Sequence, residues 1–163
     1  MKSRAYLDIE TTGLSRYRAD LTVIGIALEK GSKLELVQLT RKHLCRRQVL
    51  NVLAGADEIY TYNGSRFDLP FIKAKLAVDL NELFNHTDLM YNCWQKGLKG
   101  GLKVVEQILG INRRLKGIDG RIAVQLWWSY VNENNKNALK LLLEYNRQDV
   151  LNLRLLRRIL NVA

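Results

Sequence analysis

The chain has 163 residues, of which 47% are apolar, with one proline and 11 glycines. That is enough apolar sequence for a buried core, and too little Pro and Gly for long disordered linkers. Lys and Arg number 26 against 16 Asp and Glu, a net charge of +10, which suits a polyanionic partner such as nucleic acid. Cys45 and Cys93 are the only cysteines, which excludes a disulfide scaffold or a CxxC-type metal site and points to reduced thiols in the cytoplasm. No apolar stretch reaches the ~20 residues of a membrane span, and no signal core follows the basic N-terminus, so no membrane partner is expected.

Arg4 to Ile9 is apolar and ends at acidic residues, a candidate first strand. Thr22 to Glu29 is rich in β-branched residues, Lys30-Gly31-Ser32-Lys33 is a turn, and Leu34 to Leu39 alternates; together they predict an antiparallel meander. Leu44, Val49, Val52 and Leu53 have helical spacing that Gly55 would end. Glu58 to Tyr62 reads as a buried strand broken by Asn63-Gly64. A helix is expected from Asp68 to Leu76, because Pro70 is tolerated only in a first turn. Phe84 to Leu89 reads as a short fifth strand. Helices are predicted at about Leu102–Leu109, Arg121–Val131 and Asn137–Leu160. The pattern implies an α/β fold, a mixed five-stranded sheet flanked by helices, in a single domain over residues 1–163.

Four carboxylates stand out. Asp8 and Glu10 flank Ile9 at a strand end, so period-two geometry puts both acids on one face and Ile9 on the other. Thr11, Thr12 and Gly13 follow as a polar turn open to close ligand approach. Asp68 sits at a helix start, where a lone Asp is ordinarily a cap. Tyr145 and Asp149 lie four apart in the last helix and therefore share a face, although Asp is a poor mid-helix residue. Each position alone has a bland reading as an exposed or capping acid. Four acids without a His or Cys set suit hard cations, Mg²⁺ or Mn²⁺, and a pair of such ions serves phosphodiester cleavage.

In order and spacing, Asp8-Ile9-Glu10-Thr11-Thr12-Gly13, the segment Asn63 to Ile72 (NGSRFDLPFI) and Tyr145-Asn146-Arg147-Gln148-Asp149 resemble the three motifs of the DEDD (DnaQ-like) 3′–5′ exonuclease superfamily. The third has the tyrosine form, YxxxD. The histidine form would need His where Glu144 stands, and the only histidines are His43 and His86. His86-Thr87-Asp88-Leu89 and the stretch from Leu143 to Leu153 look like the ribonuclease-H-like family of YprB type. The resemblance implies the ribonuclease-H-like fold and two divalent ions. Asp8, Glu10 and Asp149 would ligate one ion, Asp8 would bridge to the second, and Asp68 would support that second ion. It also implies that Tyr145 orients the attacking water. Thr11, Thr12, Gly13, Leu14, Asn63 and Phe67 match positions around the terminal nucleotide. The substrate implied is single-stranded or frayed DNA or RNA with a 3′ end. No protein-partner motif is visible.

Asp88 reads first as a helix cap. Trp94, Trp127 and Trp128 are candidates for base stacking, with at least one of the adjacent pair in the core. Arg16, Arg18, Lys96, Lys99, Lys103, Arg113, Arg114 and Lys116 are candidate phosphate contacts, each with solvated surface as the default. Two alternatives stay open: a non-cleaving nucleic-acid-binding module of the same fold, and an endonuclease of ribonuclease H type.

Overall fold

The apolar N-terminal run produces β1 (Ser3–Thr11), which the computed structural model, describing residues 2–163, places at the centre of a sheet. β2 (Leu21–Lys30) and β3 (Lys33–Thr40) complete the antiparallel meander, turning at Gly31 with φ 61°. β4 (Glu58–Thr61) and β5 (Asn85–Asp88) then add in parallel on the other side of β1. The sheet order is β3-β2-β1-β4-β5, the mixed five-stranded arrangement expected from the sequence.

Helices cover both faces. On one side lie α1 (Arg46–Leu53), α2 (Asp68–Leu76) and the short α3 (Leu80–Leu83), packed over Ala5, Leu7, Ile9, Ile24 and Ile26. On the other lie α4 (Leu89–Gln95), α5 (Leu102–Leu109), α6 (Gly120–Glu133) and α7 (Lys136–Ile159). Their core contains Tyr6, Ala27, Tyr60, Val150, Leu153 and Leu156. A third cluster joins Val23, Ala123, Trp127, Leu142 and Tyr145 where α6 meets α7. The odd residues of β1 thus serve the α1–α2 face and the even ones face α7, the period-two division that aims Asp8 and Glu10 together.

Three local expectations are corrected. Leu44 lies outside the first helix: a 3-10 turn at Arg41–His43 precedes α1, which starts at Arg46. The strand expected over Phe84–Leu89 is shorter, because Leu89 already belongs to α4. α3 was not anticipated, and α4 only through the reading of Asp88 as a helix cap, which holds. Both begin at an aspartate cap, Asp79 accepting from Asn81 N at 3.1 Å and Asp88 from Met90 N at 3.1 Å, and both are too short to display a helical period. Trp127 is buried and Trp128 is half-exposed, so the adjacent pair splits as expected.

Candidate functional site

The parallel ladder between β1 and β4 ends at Tyr6 paired with Tyr60. Beyond it the edge of β1 is open, and a cleft of about 520 Å³ forms there, a size typical of ligand sites. Asp8 and Glu10 reach it from β1, Asp68 from the first turn of α2, and Tyr145 and Asp149 from α7. One carboxylate oxygen each from Asp8, Glu10 and Asp149 lies within 4.8 Å of the others.

Asp68 is not part of that trio, although it lines the same cleft. Its Oδ1 accepts the Ile9 amide at 3.1 Å. The open edge of β1 leaves that N–H without a strand partner, and Asp68 supplies one. The side chain therefore bridges α2 to the central strand, and the cap reading of a lone Asp does not hold here. α2 carries no side-chain cap bond. The turn before it is held by Asp88, which accepts from Asn63 N at 2.7 Å and Ser65 N at 3.0 Å while also capping α4. Asn63 needs that support, since its φ is 61°.

Asp8 is fixed by Asn146, whose Nδ2 donates to its Oδ2 at 3.0 Å and its backbone O at 3.2 Å. Asn146 comes this close because Asp8 pairs with Gly25 on β2. A Cβ at Gly25 would collide with the Asn146 amide and lie 2.8 Å from Val150 Cγ2. The glycine thus lets α7 settle onto the strand that carries the acids.

Burial, followed by the charges of its acidic neighbours, raises the carboxyl of Asp8 well above its ordinary range, against the Asn146 hydrogen bond. Glu10 is raised by burial and then by Asp149 and Asp68, against Lys103. Asp149 is raised by burial, opposed by Arg113. Burial pushes Asp68 up to about 7, opposed by backbone hydrogen bonds that include Ile9. Four acids sharing one cleft repel one another and favour a bound cation. Glu10 Oε1 is also buried with no hydrogen-bond partner, an orphan acceptor of the kind a metal ion satisfies. An all-oxygen set of carboxylates, with no His or Cys in the group, has the chemistry of a hard divalent ion's ligands.

Tyr145 packs beside Trp127 and Val23, with Lys103 Nζ 4.5 Å from its ring centre. Burial, then Asp149, Glu10 and Asp8, push its phenol far above the ordinary range. Thr11, Gly13, Leu14, Asn63 and Phe67 line the cleft. Thr12 does not: its hydroxyl accepts Asp20 N at 2.8 Å and staples the β1–β2 turn. Of the cations singled out from sequence, Lys103 lies over the Tyr145 ring and Arg113 binds Asp149 directly. Sequence reasoning missed Asn146, and also Asp119, Gly120, Arg121 and Val124 at the start of α6, which form the cleft's far wall. The Asp119 cap, accepting Arg121 N at 2.9 Å and Ile122 N at 3.0 Å, was the available signal for that helix start.

Residues 5–161 match the profile of the RNase_H superfamily. The chain belongs to that superfamily. This RNase_H superfamily chain is 32% identical over 105 residues to the uncharacterized protein YprB of Bacillus subtilis (strain 168), an overlap covering 58% of the chain and 25% of YprB. It therefore spans about a quarter of that relative's length. Its fold is similar to part of the family B DNA polymerase from the hyperthermophilic archaeon Pyrobaculum calidifontis, with a TM-score of 0.69, 16% identity, and coverage of 92% of the chain and 23% of the polymerase. It is also similar to Brucella melitensis NrnC with bound Mg²⁺, with a TM-score of 0.59, 18% identity, and coverage of 97% and 71%. At these identities the likeness concerns the fold. Among the described residues, no helix is long and apolar enough to cross a membrane.

Proposed function

We propose that this chain is a metal-dependent 3′–5′ exonuclease of the tyrosine (DEDDy) class and YprB type, a single catalytic domain acting on single-stranded or frayed nucleic acid in the cytoplasm. The observation that carries the reading is the convergence of Asp8, Glu10 and Asp149 oxygens within 4.8 Å in a cleft that Asp68 and Tyr145 also line. Asp8, Glu10 and Asp149 would hold one Mg²⁺ or Mn²⁺, and Asp8 with Asp68 a second. The Mg²⁺ bound to NrnC, similar in fold, is consistent with such a set. Bound there, a pair of divalent ions supplies water activation and stabilisation of the leaving oxygen during in-line displacement.

The protein's own groups do the rest. Asn146 fixes the Asp8 carboxylate from below. Tyr145 keeps its proton at any physiological pH, because burial and the acids raise its phenol; its role is to donate a hydrogen bond that orients the attacking water, not to remove a proton. Thr11, Gly13, Leu14, Asn63 and Phe67 hold the terminal nucleotide, and Thr12 acts through the turn it staples. Arg121 and Lys103 add positive charge at the cleft for the phosphates. The excess of cations over the whole chain supports a polyanionic substrate.

A 5′-labelled single strand incubated with Mn²⁺ tests the reading. The expected product is a ladder shortening from the 3′ end, abolished by chelator. Internal cuts would indicate a ribonuclease H type endonuclease, and retained binding without cleavage a silent module. Parallel DNA and RNA strands identify the substrate sugar.

A further inference from the structure

Behind the acids, a buried charged network reaches Asp149 from α5. Glu106 is 1% exposed, yet both its oxygens are engaged. Arg113 meets it as a fork, Nε on Oε2 and Nη2 on Oε1 at 2.9 Å, and Asn152 Nδ2 adds a bond to Oε1 at 3.0 Å. The same Arg113 Nη2 donates to Asp149 Oδ1. Asn152 lies three residues beyond Asp149 and so shares its face of α7. Three parts of the chain converge here: α5 through Glu106, the loop between α5 and α6 through Arg113, and α7 through Asn152 and Asp149.

A buried carboxylate with a buried guanidinium gives little net stability over an apolar replacement of the same shape, because desolvation offsets attraction. What the fork does supply is direction, since a planar guanidinium held at two points has one orientation. Asp149 needs direction. It stands beside Asp8 and Glu10, whose repulsion would turn a free carboxylate out of the cluster. Building on the metal-dependent reading above, we propose that Arg113, aimed by Glu106, is a positioning residue that holds the Asp149 carboxylate in its ligating orientation and leaves one oxygen for the cation.

The test is a Mn²⁺ titration by calorimetry of wild type, Arg113→Lys and Glu106→Gln, with unfolding checked by circular dichroism. Lys keeps the charge and loses the fork; Gln keeps the shape of Glu106 and loses its charge. Both variants should bind Mn²⁺ about 10–100-fold more weakly, the usual effect of removing a group that orients a metal ligand. In cleavage assays kcat should fall with little change in the oligonucleotide KM, and excess Mn²⁺ should restore most of it, a rescue that a merely structural role would not give. If Arg113→Lys does not fold, Glu106→Gln decides by the same titration. A folded variant binding Mn²⁺ as tightly as wild type overturns the proposal. So does tighter binding, which would make Arg113 a competitor of the ion. If wild type binds and cleaves while the variants match it, only this inference falls; if wild type binds no Mn²⁺, the metal-dependent reading falls with it.

Discussion

At the residue scale, the cleft divides labour between acids that are hard to ionise and a tyrosine that does not ionise. Asp8, Glu10 and Asp149 lie close enough for a shared cation, while Asp68 is tied to the Ile9 amide. Tyr145 is buried against Trp127 and Val23, so its ring has a packing role whatever its hydroxyl does. Tyr145→Phe should therefore keep the melting temperature and Mn²⁺ affinity near wild type. Losing the hydroxyl removes one transition-state hydrogen bond; positioning contacts of this kind contribute ~10²–10⁴-fold in rate, and the lower end is expected here. The loss should fall on kcat more than KM. Single-turnover cleavage at saturating Mn²⁺ measures it, and equal rates would reduce Tyr145 to packing.

At the scale of elements, the site depends on how α7 lies on the sheet. Its middle is fixed by Asn146 on Asp8, over Gly25. Its end is fixed by Glu29, which takes Arg154 and Arg158 at 2.7 Å each and the Tyr6 hydroxyl at 2.7 Å. Gly25→Ala should push α7 away from β2. Overpacking of this kind costs about 1–3 kcal/mol, and the Asn146–Asp8 contact should be lost with it. Thermal unfolding should show the lower stability, and Mn²⁺ affinity should fall even where the fold survives; a variant with wild-type melting and metal binding would show that α7 has slack.

Elements with a clear period were legible in the sequence, and so were the acids they present. Successive side chains of a strand point to opposite faces, so Asp8 and Glu10 on one face of β1 follow directly from their spacing. Pro70 fixed the start of α2 beside Asp68. The four-residue spacing of Tyr145 and Asp149 put both on one face of α7. Contacts that join distant segments left no local trace: Arg113 meets Asp149 across 36 residues, and Asn152 meets Glu106 across 46. The bond from the Ile9 amide to Asp68 left no local trace either, because the two residues are 59 positions apart. α3 left no signal and α4 only its Asp88 cap, because four and seven residues do not complete enough turns to show an apolar stripe.

At the scale of the whole molecule, gathering acids on a chain of net charge +10 has a consequence for stability. Asp8, Glu10, Asp68 and Asp149 all have folded-state values above their ordinary ones. The metal-free folded state therefore binds more protons than the unfolded chain, and stability falls as pH rises through that window. For Asp68 the window runs from its ordinary 3.8 to about 7. His86, lowered by burial, works the other way near neutral pH, one group against four. Glu29 is lowered, so its contribution is lost only at acid pH. In chelator, the melting temperature should drop as pH rises towards about 7; Asp8→Asn should flatten the drop, and Mn²⁺ should reverse it by favouring the ionised acids. A melting temperature that does not change over this range in chelator would show that the acids do not repel one another as described.

The deciding measurement is single-turnover cleavage of a linear 5′-labelled strand by wild type and Asp149→Ala, with Mn²⁺ and with chelator. Wild type with Mn²⁺ should give a ladder receding from the 3′ end. Asp149→Ala should give none while still binding the strand, because the cationic surface remains, and chelator should silence the wild type. The same ladder from purified Asp149→Ala, or cleavage persisting in chelator, would contradict the assignment of these acids to a metal-dependent nuclease.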